Sequence, residues 1–139
     1  MKKFIVQAAI LVACLGGAGC GGGNPSLERH QKLVAALNEA SDIMAGVTDE
    51  ASTKDARGKL DDVGKRIREL YREQRLSKDT AMDLENLKYD RKFAKEEEEV
   101  TAARDRYGKE SARVLADVPA SGAILVRTMS GYIYPSTAR

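Results

Sequence analysis

The clearest helical pattern in this sequence lies in residues 52–76, which read STKDARGKLDDVGKRIRELYREQRL. One series of positions recurs there at alternating intervals of four and three residues: Ala56, Leu60, Val63, Ile67, Leu70 and Gln74. This spacing places all of them on one face of an α-helix, whereas a half-buried strand would alternate every second residue. We predict a helix that begins near Ser52 and Thr53, with Asp55 completing a capping motif, and that ends near Arg75.

Two glycines interrupt the apolar pattern of this predicted helix. Gly58 and Gly64 each weaken a helix by about 1 kcal/mol relative to alanine. Packing has to offset that loss. We therefore expect a neighbouring helix to approach closely where a side chain is missing.

A second amphipathic segment precedes this one, over residues 26–47. Its apolar stripe has the same alternating intervals of three and four residues: Leu27, His30, Val34, Leu37, Ser41 and Met44. Leu33, Ala40 and Val47 widen this stripe. Pro25 and Ser26 are a suitable start, since a serine side chain can accept a backbone N–H at a helix N-terminus. We predict a helix here and a connection over residues 48–53.

A third predicted helix runs from Ser77 or Thr80 to about Val118, unbroken for about 40 residues, or about 60 Å at 1.5 Å per residue. Its seam is Leu84, Leu87, Tyr89, Phe93, Val100, Ala103, Tyr107, Val114 and Val118. Residues 120–134 are strongly apolar and fit either a short helix over 120–130 or a hairpin. We favour the helix, and we expect the tail to cover Val114, Leu115 and Val118.

These segments predict an all-α protein: a small antiparallel three-helix bundle over residues 26–139, with one long C-terminal helix and a short apolar tail that can form a short fourth helix. Only 5% of the 139 residues are aromatic while 32% are charged, which argues against a β-sandwich. The apolar seam breaks at residues 48–53 and 76–79, which favours an intramolecular bundle over an oligomeric coiled coil.

The N-terminal residues have the features of an export signal. Lys2 and Lys3 precede a short apolar run, residues 4–15, and small residues follow up to Cys20. The run is too short to span a membrane, which requires about 20 apolar residues, and its pattern is typical of a secretory signal.

The arrangement around Cys14 and Cys20 resembles the type II signal of bacterial lipoproteins. In that family a cysteine preceded by small residues receives a diacylglyceryl group, and cleavage makes it the new N-terminus. The Leu11-Val12-Ala13-Cys14 stretch matches the usual motif at its first position, whereas Gly17-Ala18-Gly19-Cys20 has glycine there. We favour Cys20, with Cys14 as the alternative, because a flexible tether follows Cys20 and the run before Cys14 is short.

The resemblance implies a signal peptide over residues 1–19, a lipid-anchored tether over 20–25, and acyl chains such as palmitate holding the domain on the periplasmic face of a membrane. It also implies the outer rather than the inner membrane, because position 21 is Gly and not the Asp associated with retention. Lys2 and Lys3 account for the net charge of +2, so the chain from Cys20 onward is formally neutral. Nucleic acid is therefore not an expected partner.

Two charged clusters are candidate contact surfaces for an envelope protein. Arg68, Arg72 and Arg75 share one face of the helix over 52–76, and Glu96, Glu97, Glu98 and Glu99 form an acidic run in the long helix. Consecutive helical glutamates point in different directions, so they do not form a calcium site. Between Phe93 and Val100 the seam has to pass Glu96 or Glu97, so we expect that carboxylate to meet a base on the predicted helix over 52–76, or the bundle to be open there.

The sequence predicts no enzyme, no metal site and no cofactor. His30 is the one histidine, and no nucleophile elbow, phosphate loop or mature cysteine pair accompanies it. The predicted function is a non-enzymatic, membrane-anchored helical lipoprotein that acts as a scaffold or envelope-assembly accessory. The alternative is a ligand-binding module with an apolar pocket lined by Tyr107, Val114, Leu125 and Met129.

Overall fold

The structure of this protein, a computed structural model, describes residues 25–76 and 91–133. Within these ranges the helices are α1 (Pro25–Ala45), α2 (Glu50–Leu76), α3 (Ala94–Asp117) and α4 (Pro119–Ile133), with one 3₁₀ turn, Arg91–Phe93, before α3. Every described residue outside positions 46–49 and Val118 is helical. The predicted all-α bundle is therefore confirmed, with the apolar tail forming a fourth helix.

The first two helices form an antiparallel hairpin. Near the start of α1, the Arg29 Nε donates a hydrogen bond to Gln74 Oε1 near the end of α2, at 3.3 Å. Further along, Arg66 Nη2 of α2 lies 2.7 Å from Glu39 Oε1 of α1. Four residues, 46–49, connect the two helices, and such a short connection favours antiparallel neighbours.

The last two helices form a second antiparallel hairpin, which turns within a single residue, Val118. Gly122 of α4 lies against Val114 of α3, eight residues earlier, and this contact requires the chain to reverse. Across the bundle α1 packs on α3 and α2 packs on α4. Helices α1 and α3 run parallel. Their N-terminal parts meet where His30 contacts Glu96, and their C-terminal parts meet where Arg113 contacts Val47.

The bundle therefore has two distinct ends. The proximal end holds the start of α1 at Pro25, the end of α2 at Leu76 and the start of α3 at Ala94. The distal end holds the connection 46–49 and the corner at Val118. Along the chain, Cys20 is five residues from the proximal end.

The core follows the predicted periodicity closely in α2 and less closely in α1. All six predicted seam positions of α2 are buried, from Ala56 to Gln74. In α1, Leu27 is 37% exposed and Val34 is half-buried, whereas Leu33 and Ala36 are buried. The buried face of α1 is rotated because α1 has two partners, α2 on one side and α3 on the other.

The N-terminus of α2 lies three residues earlier than predicted, because the cap is Asp49 and not Ser52. Asp49 Oδ1 accepts a hydrogen bond from the Ser52 backbone N–H at 2.8 Å, and Ser52 Oγ accepts one from the Asp49 N–H at 3.0 Å. These reciprocal bonds form a capping box in which an aspartate precedes the serine. Ser52 is thus the third residue of the helix rather than its cap.

The prediction of one unbroken helix up to Val118 is wrong at Arg91–Phe93, where a 3₁₀ turn precedes α3. Phe93 has φ −109° and ψ 22°, outside the helical region, so the α-helix begins at Ala94. The earlier part of that prediction, with Leu84, Leu87 and Tyr89, lies outside the described residues.

The apolar tail is a helix from Pro119 to Ile133 and not a hairpin. Proline occupies its first position, where no backbone N–H is needed. Leu125, Met129 and Ile133 are buried at intervals of four. The tail covers Val114 and Val118 as predicted but not Leu115, which is 39% exposed because it lies on the outer side of α3.

The close approach expected at a glycine occurs at Gly64. A Cβ placed on this residue would lie 2.2 Å from Cδ2 of Tyr132, whose ring packs on the α2 backbone. The Tyr132 hydroxyl donates to Asp61 Oδ1 at 3.2 Å, and the Arg68 guanidinium lies 4.5 Å from the ring centroid. Gly64 therefore provides the space in which α4 docks. Gly58, by contrast, has no atom within 4 Å of the corresponding position.

Candidate interaction surfaces

The predicted acylation site and its alternative, Cys20 and Cys14, lie outside the described residues. The first described residue, Pro25, belongs to α1. None of the helices in the described ranges is long and apolar enough to cross a membrane.

The three arginines of the predicted basic face are all exposed, but their surroundings differ. Arg68 stacks on the Tyr132 ring of α4, and Arg72 Nη1 lies 3.2 Å from Glu69 Oε1 of its own helix. Arg75 lies one residue from the end of α2. The face therefore begins beside α4 and reaches the proximal end.

The acidic run lies at the start of α3 and meets α1. Glu96 and Glu97 are half-buried, while Glu98 and Glu99 are exposed. One Glu99 carboxylate oxygen lies 3.5 Å from His30 Nε2, and the other lies 3.7 Å from Lys95 Nζ. The carboxylate of this run that meets a base is therefore Glu99 rather than the predicted Glu96 or Glu97, and the base is His30 of α1 rather than a residue of α2.

His30 is a buried link between two helices, with 1% of its surface exposed. With the proton on Nε2, the ring donates a hydrogen bond to the Glu96 backbone carbonyl at 3.2 Å. Its Nδ1 atom has no hydrogen-bond partner among the described residues. The preceding residue, Arg29, bonds to α2 through Gln74, so two consecutive residues join α1 to both neighbours at the proximal end. This is a structural role.

Arg113 connects the hairpins at the distal end. Its guanidinium donates to the Met44, Ala45 and Val47 carbonyls of the α1 C-terminus at 2.7, 3.2 and 3.0 Å. The last carbonyls of a helix lack intrahelical donors, and the negative end of the helix dipole favours a cation there. The Met44 carbonyl also accepts a hydrogen bond from the Val47 backbone N–H at 3.0 Å. A hydrogen bond with Glu110 raises the pKa of Arg113. The sequence pattern had not identified this residue, because its partners are 66 to 69 positions away.

The distal end also exposes apolar side chains, including Leu115, which was predicted to be covered by the tail. Ile124 is 50% exposed and Leu115 is 39% exposed, on either side of the Val118 corner. Pro119 and Ala120 are exposed between them. No charged residue occurs from Val118 to Val126. We call Leu115, Pro119, Ala120 and Ile124 the distal apolar patch.

Shallow grooves follow the helix pairs. One of about 330 Å³ lies between α1 and α2, with Ala36 and Leu70 at its base and Lys32, Glu39 and Arg66 at its rim. The pairing with Glu39 raises the pKa of Arg66. Another groove, of about 310 Å³, lies between α2 and α4 beside Ile124. Within the described ranges no three His, Cys, Asp or Glu side chains converge as a metal site would require.

The four side chains of the predicted apolar pocket are packed in the core. Tyr107, Val114, Leu125 and Met129 are each at most 3% exposed. Val114 Cγ1 would lie only 2.9 Å from a Cβ on Gly122, which shows how closely α3 and α4 approach each other.

Comparison of the chain with protein-family models, with characterised proteins and with solved structures finds no significant match.

Proposed function

We propose that this chain is a non-enzymatic lipoprotein of the bacterial cell envelope, anchored through acyl chains on Cys20 and acting as a scaffold or assembly accessory. The observation that carries the proposal is the direct succession of three features. A segment with the features of an export signal ends in Cys20, four residues follow, and the first helix of the bundle begins at Pro25. One acyl chain gives only marginal binding, whereas two or more hold a protein on a membrane.

The bundle supports a binding role rather than catalysis. Its one histidine is buried between α1 and α3, where it links the two helices. The accessible surfaces of the described residues include the arginines of α2, the acidic start of α3 and the distal apolar patch. An apolar patch on an otherwise charged surface is typical of a protein–protein contact. The protein partner belongs to the proposal as a class, with no identity assigned.

Acylation is tested by expressing the full-length chain with an alkyne analogue of palmitate in a bacterium that processes lipoproteins. We expect label in the wild type and in Cys14→Ala, and none in Cys20→Ala. Label retained by Cys20→Ala but lost from Cys14→Ala would assign the anchor to Cys14. Absence of label from all three would contradict the proposal.

The outer-membrane assignment depends on position 21. Density-gradient separation of the membranes should place the wild type in the outer-membrane fraction and Gly21→Asp in the inner one. Equal distribution of both proteins would contradict this part of the proposal while leaving the anchor intact.

The scaffold role is tested by crosslinking in intact cells. We expect Leu115→Ser combined with Ile124→Ser to reduce recovery of a crosslinked envelope partner, because both side chains lie in the distal apolar patch. Ala102→Ser, an exposed position on α3, is the matched control and should retain the crosslink. Recovery of the same crosslinked partner from both variants would contradict a role for the patch.

A further inference from the structure

The proximal end of the bundle combines exposed apolar and basic side chains. Leu76 is 73% exposed at the end of α2, and Leu27 is 37% exposed in the first turn of α1. The 3₁₀ turn before α3 brings Arg91 and Lys92, both exposed, to this end. The first turn of α3 adds Lys95, whose side chain is 82% exposed and whose Nζ lies 3.7 Å from Glu99 Oε1. Such large apolar side chains beside cations are typical of surfaces that contact lipid headgroups.

The three helices that form this surface are held in place by specific contacts. Arg29 joins α1 to α2 through Gln74, and His30 joins α1 to α3 through the Glu96 carbonyl. Leu27 lies two and three positions before these residues, and Leu76 lies two positions after Gln74. The surface therefore belongs to a fixed part of the fold rather than to one helix end alone.

Acidic residues are absent from the outermost described positions on the α2 and α3 sides. Residues 75–76 and 91–95 contain four cations and no carboxylate. The acidic run begins at Glu96 and extends away from the end by 1.5 Å per residue. In the first turn of α1, Glu28 Oε1 lies 2.7 Å from Lys32 Nζ, and this pairing lowers the pKa of the Glu28 carboxyl. The outer layer of described residues is thus net positive.

The length of the tether determines which part of the bundle is nearest to an acylated Cys20. The five Cα–Cα steps from Cys20 to Pro25 span at most about 18 Å when fully extended. Helix α1, with 21 residues, is about 31 Å long. The proximal end therefore remains beside the membrane, and the distal end can reach it only if the bundle lies flat.

We propose that the proximal end, through Leu27, Leu76, Arg91, Lys92 and Lys95, is a docking surface for the anionic lipid headgroups of the membrane that holds Cys20. The proposal rests on the lipid anchor proposed above and adds an orientation to it. Basic residues near an anionic surface each strengthen binding, and the attraction falls off within a screening length. The docked bundle stands upright and turns the distal apolar patch towards the periplasm.

The experiment uses the full acylated protein in vesicles of phosphatidylcholine containing phosphatidylglycerol. An environment-sensitive fluorophore is attached at Leu76→Cys, or at Ile124→Cys as the matched position at the distal end. We expect blue-shifted emission and quenching by spin-labelled lipid at position 76 and neither at position 124. Both signals should decrease in pure phosphatidylcholine and in about 1 M salt, where the screening length is about 3 Å.

Charge reversal separates docking from anchoring. Arg91→Glu with Lys92→Glu should abolish the signal at position 76, whereas Lys54→Glu with Arg57→Glu, the same change near the distal end, should preserve it. Equal signals at positions 76 and 124, or an insensitivity to both salt and charge reversal, would overturn the proposal. Labelling of the unsubstituted protein would reveal a free thiol at Cys14 or Cys20, and that result contradicts the anchor instead.

Discussion

The two glycines of α2 show that the effect of adding a side chain depends on what the position faces. Gly64 faces the Tyr132 ring, and a Cβ there would lie 2.2 Å from Cδ2. Gly58 faces open space. The sequence predicted that at least one glycine serves close packing, but it could not show which one. The answer depends on where α4 lies, and no local pattern records that position.

We expect Gly64→Ala to destabilise the protein and Gly58→Ala to stabilise it. The first substitution displaces a ring packed between Asp61 and Arg68, and overpacking of this kind costs about 1–3 kcal/mol. The second gains up to about 1 kcal/mol of helix propensity. Urea unfolding followed by circular dichroism measures both effects. Equal shifts in the same direction would show that Tyr132 does not pack on Gly64.

Arg113 and Arg106 form a second matched pair, since both are arginines of α3 that reach α1. Arg113 donates to three α1 carbonyls, whereas Arg106 pairs with Asn38 and Asp42 at the surface. We expect Arg113→Met to cost about 1 kcal/mol, because it leaves carbonyls without a charged donor that is itself one-third exposed. Arg106→Met should cost less, within the small range of exposed ion pairs. Thermal unfolding of both variants measures the two losses of stability. A larger loss for Arg106→Met than for Arg113→Met would contradict the prediction.

At the scale of the element, the helices were predictable where one periodic face dominates. The seam of α2 is fully predictable because its six positions recur at helical spacing and all of them are buried. The start of α2 was not predictable, because Asp49 and Ser52 are both acceptable N-caps and only the hydrogen-bond geometry selects between them. At α3, local sequence favoured continuing the helix through Arg91–Phe93, and the 3₁₀ turn there shows that propensity did not determine the boundary.

The capping box predicts a loss of stability from Ser52→Ala. The serine hydroxyl accepts hydrogen bonds from the Thr48 and Asp49 backbone N–H groups, both at 3.0 Å. Removing such a bond at a helix N-terminus costs about 1 kcal/mol. Thr48→Ala is the control, because its side chain is exposed and the bond to Ser52 comes from its backbone. Urea midpoints should show a decrease for Ser52→Ala alone, and equal decreases would contradict the cap.

The same cap predicts a dependence of stability on pH. The hydrogen bond from the Ser52 backbone N–H holds the pKa of the Asp49 carboxyl below its usual value. The ionised form therefore stabilises the folded state above the unfolded-state pKa, and this contribution is lost as the pH falls through the lower, folded-state value. We expect the difference in urea midpoint between wild type and Asp49→Asn to shrink as the pH is lowered from neutral through about 3.9. A difference that stays constant with pH would contradict an ionised cap.

At the scale of the whole molecule, the two hairpins could be anticipated but their pairing could not. Short connections at 46–49 and Val118 imply antiparallel neighbours, and both hairpins occur. Which helix of one hairpin faces which helix of the other depends on contacts between distant residues, such as His30 with Glu96. The contact surfaces follow from that pairing. The acidic run meets α1, and the exposure of Leu115 and Ile124 results from packing that hydropathy alone does not reveal.

The pairing also implies that α4 belongs to one cooperative unit with the rest of the bundle, because it packs on both α2 and α3. Leu125 is 1% exposed in this contact, whereas its neighbour Ile124 is 50% exposed. We expect Leu125→Ala to cost about 2–5 kcal/mol and Ile124→Ala to have a much smaller effect. Native-state hydrogen exchange should show weaker protection throughout α1 and α2 in Leu125→Ala, since a two-state domain loses stability everywhere at once. Weakened protection confined to α4 would instead mean that this helix opens independently, and the exposure of the distal apolar patch would then vary with that opening.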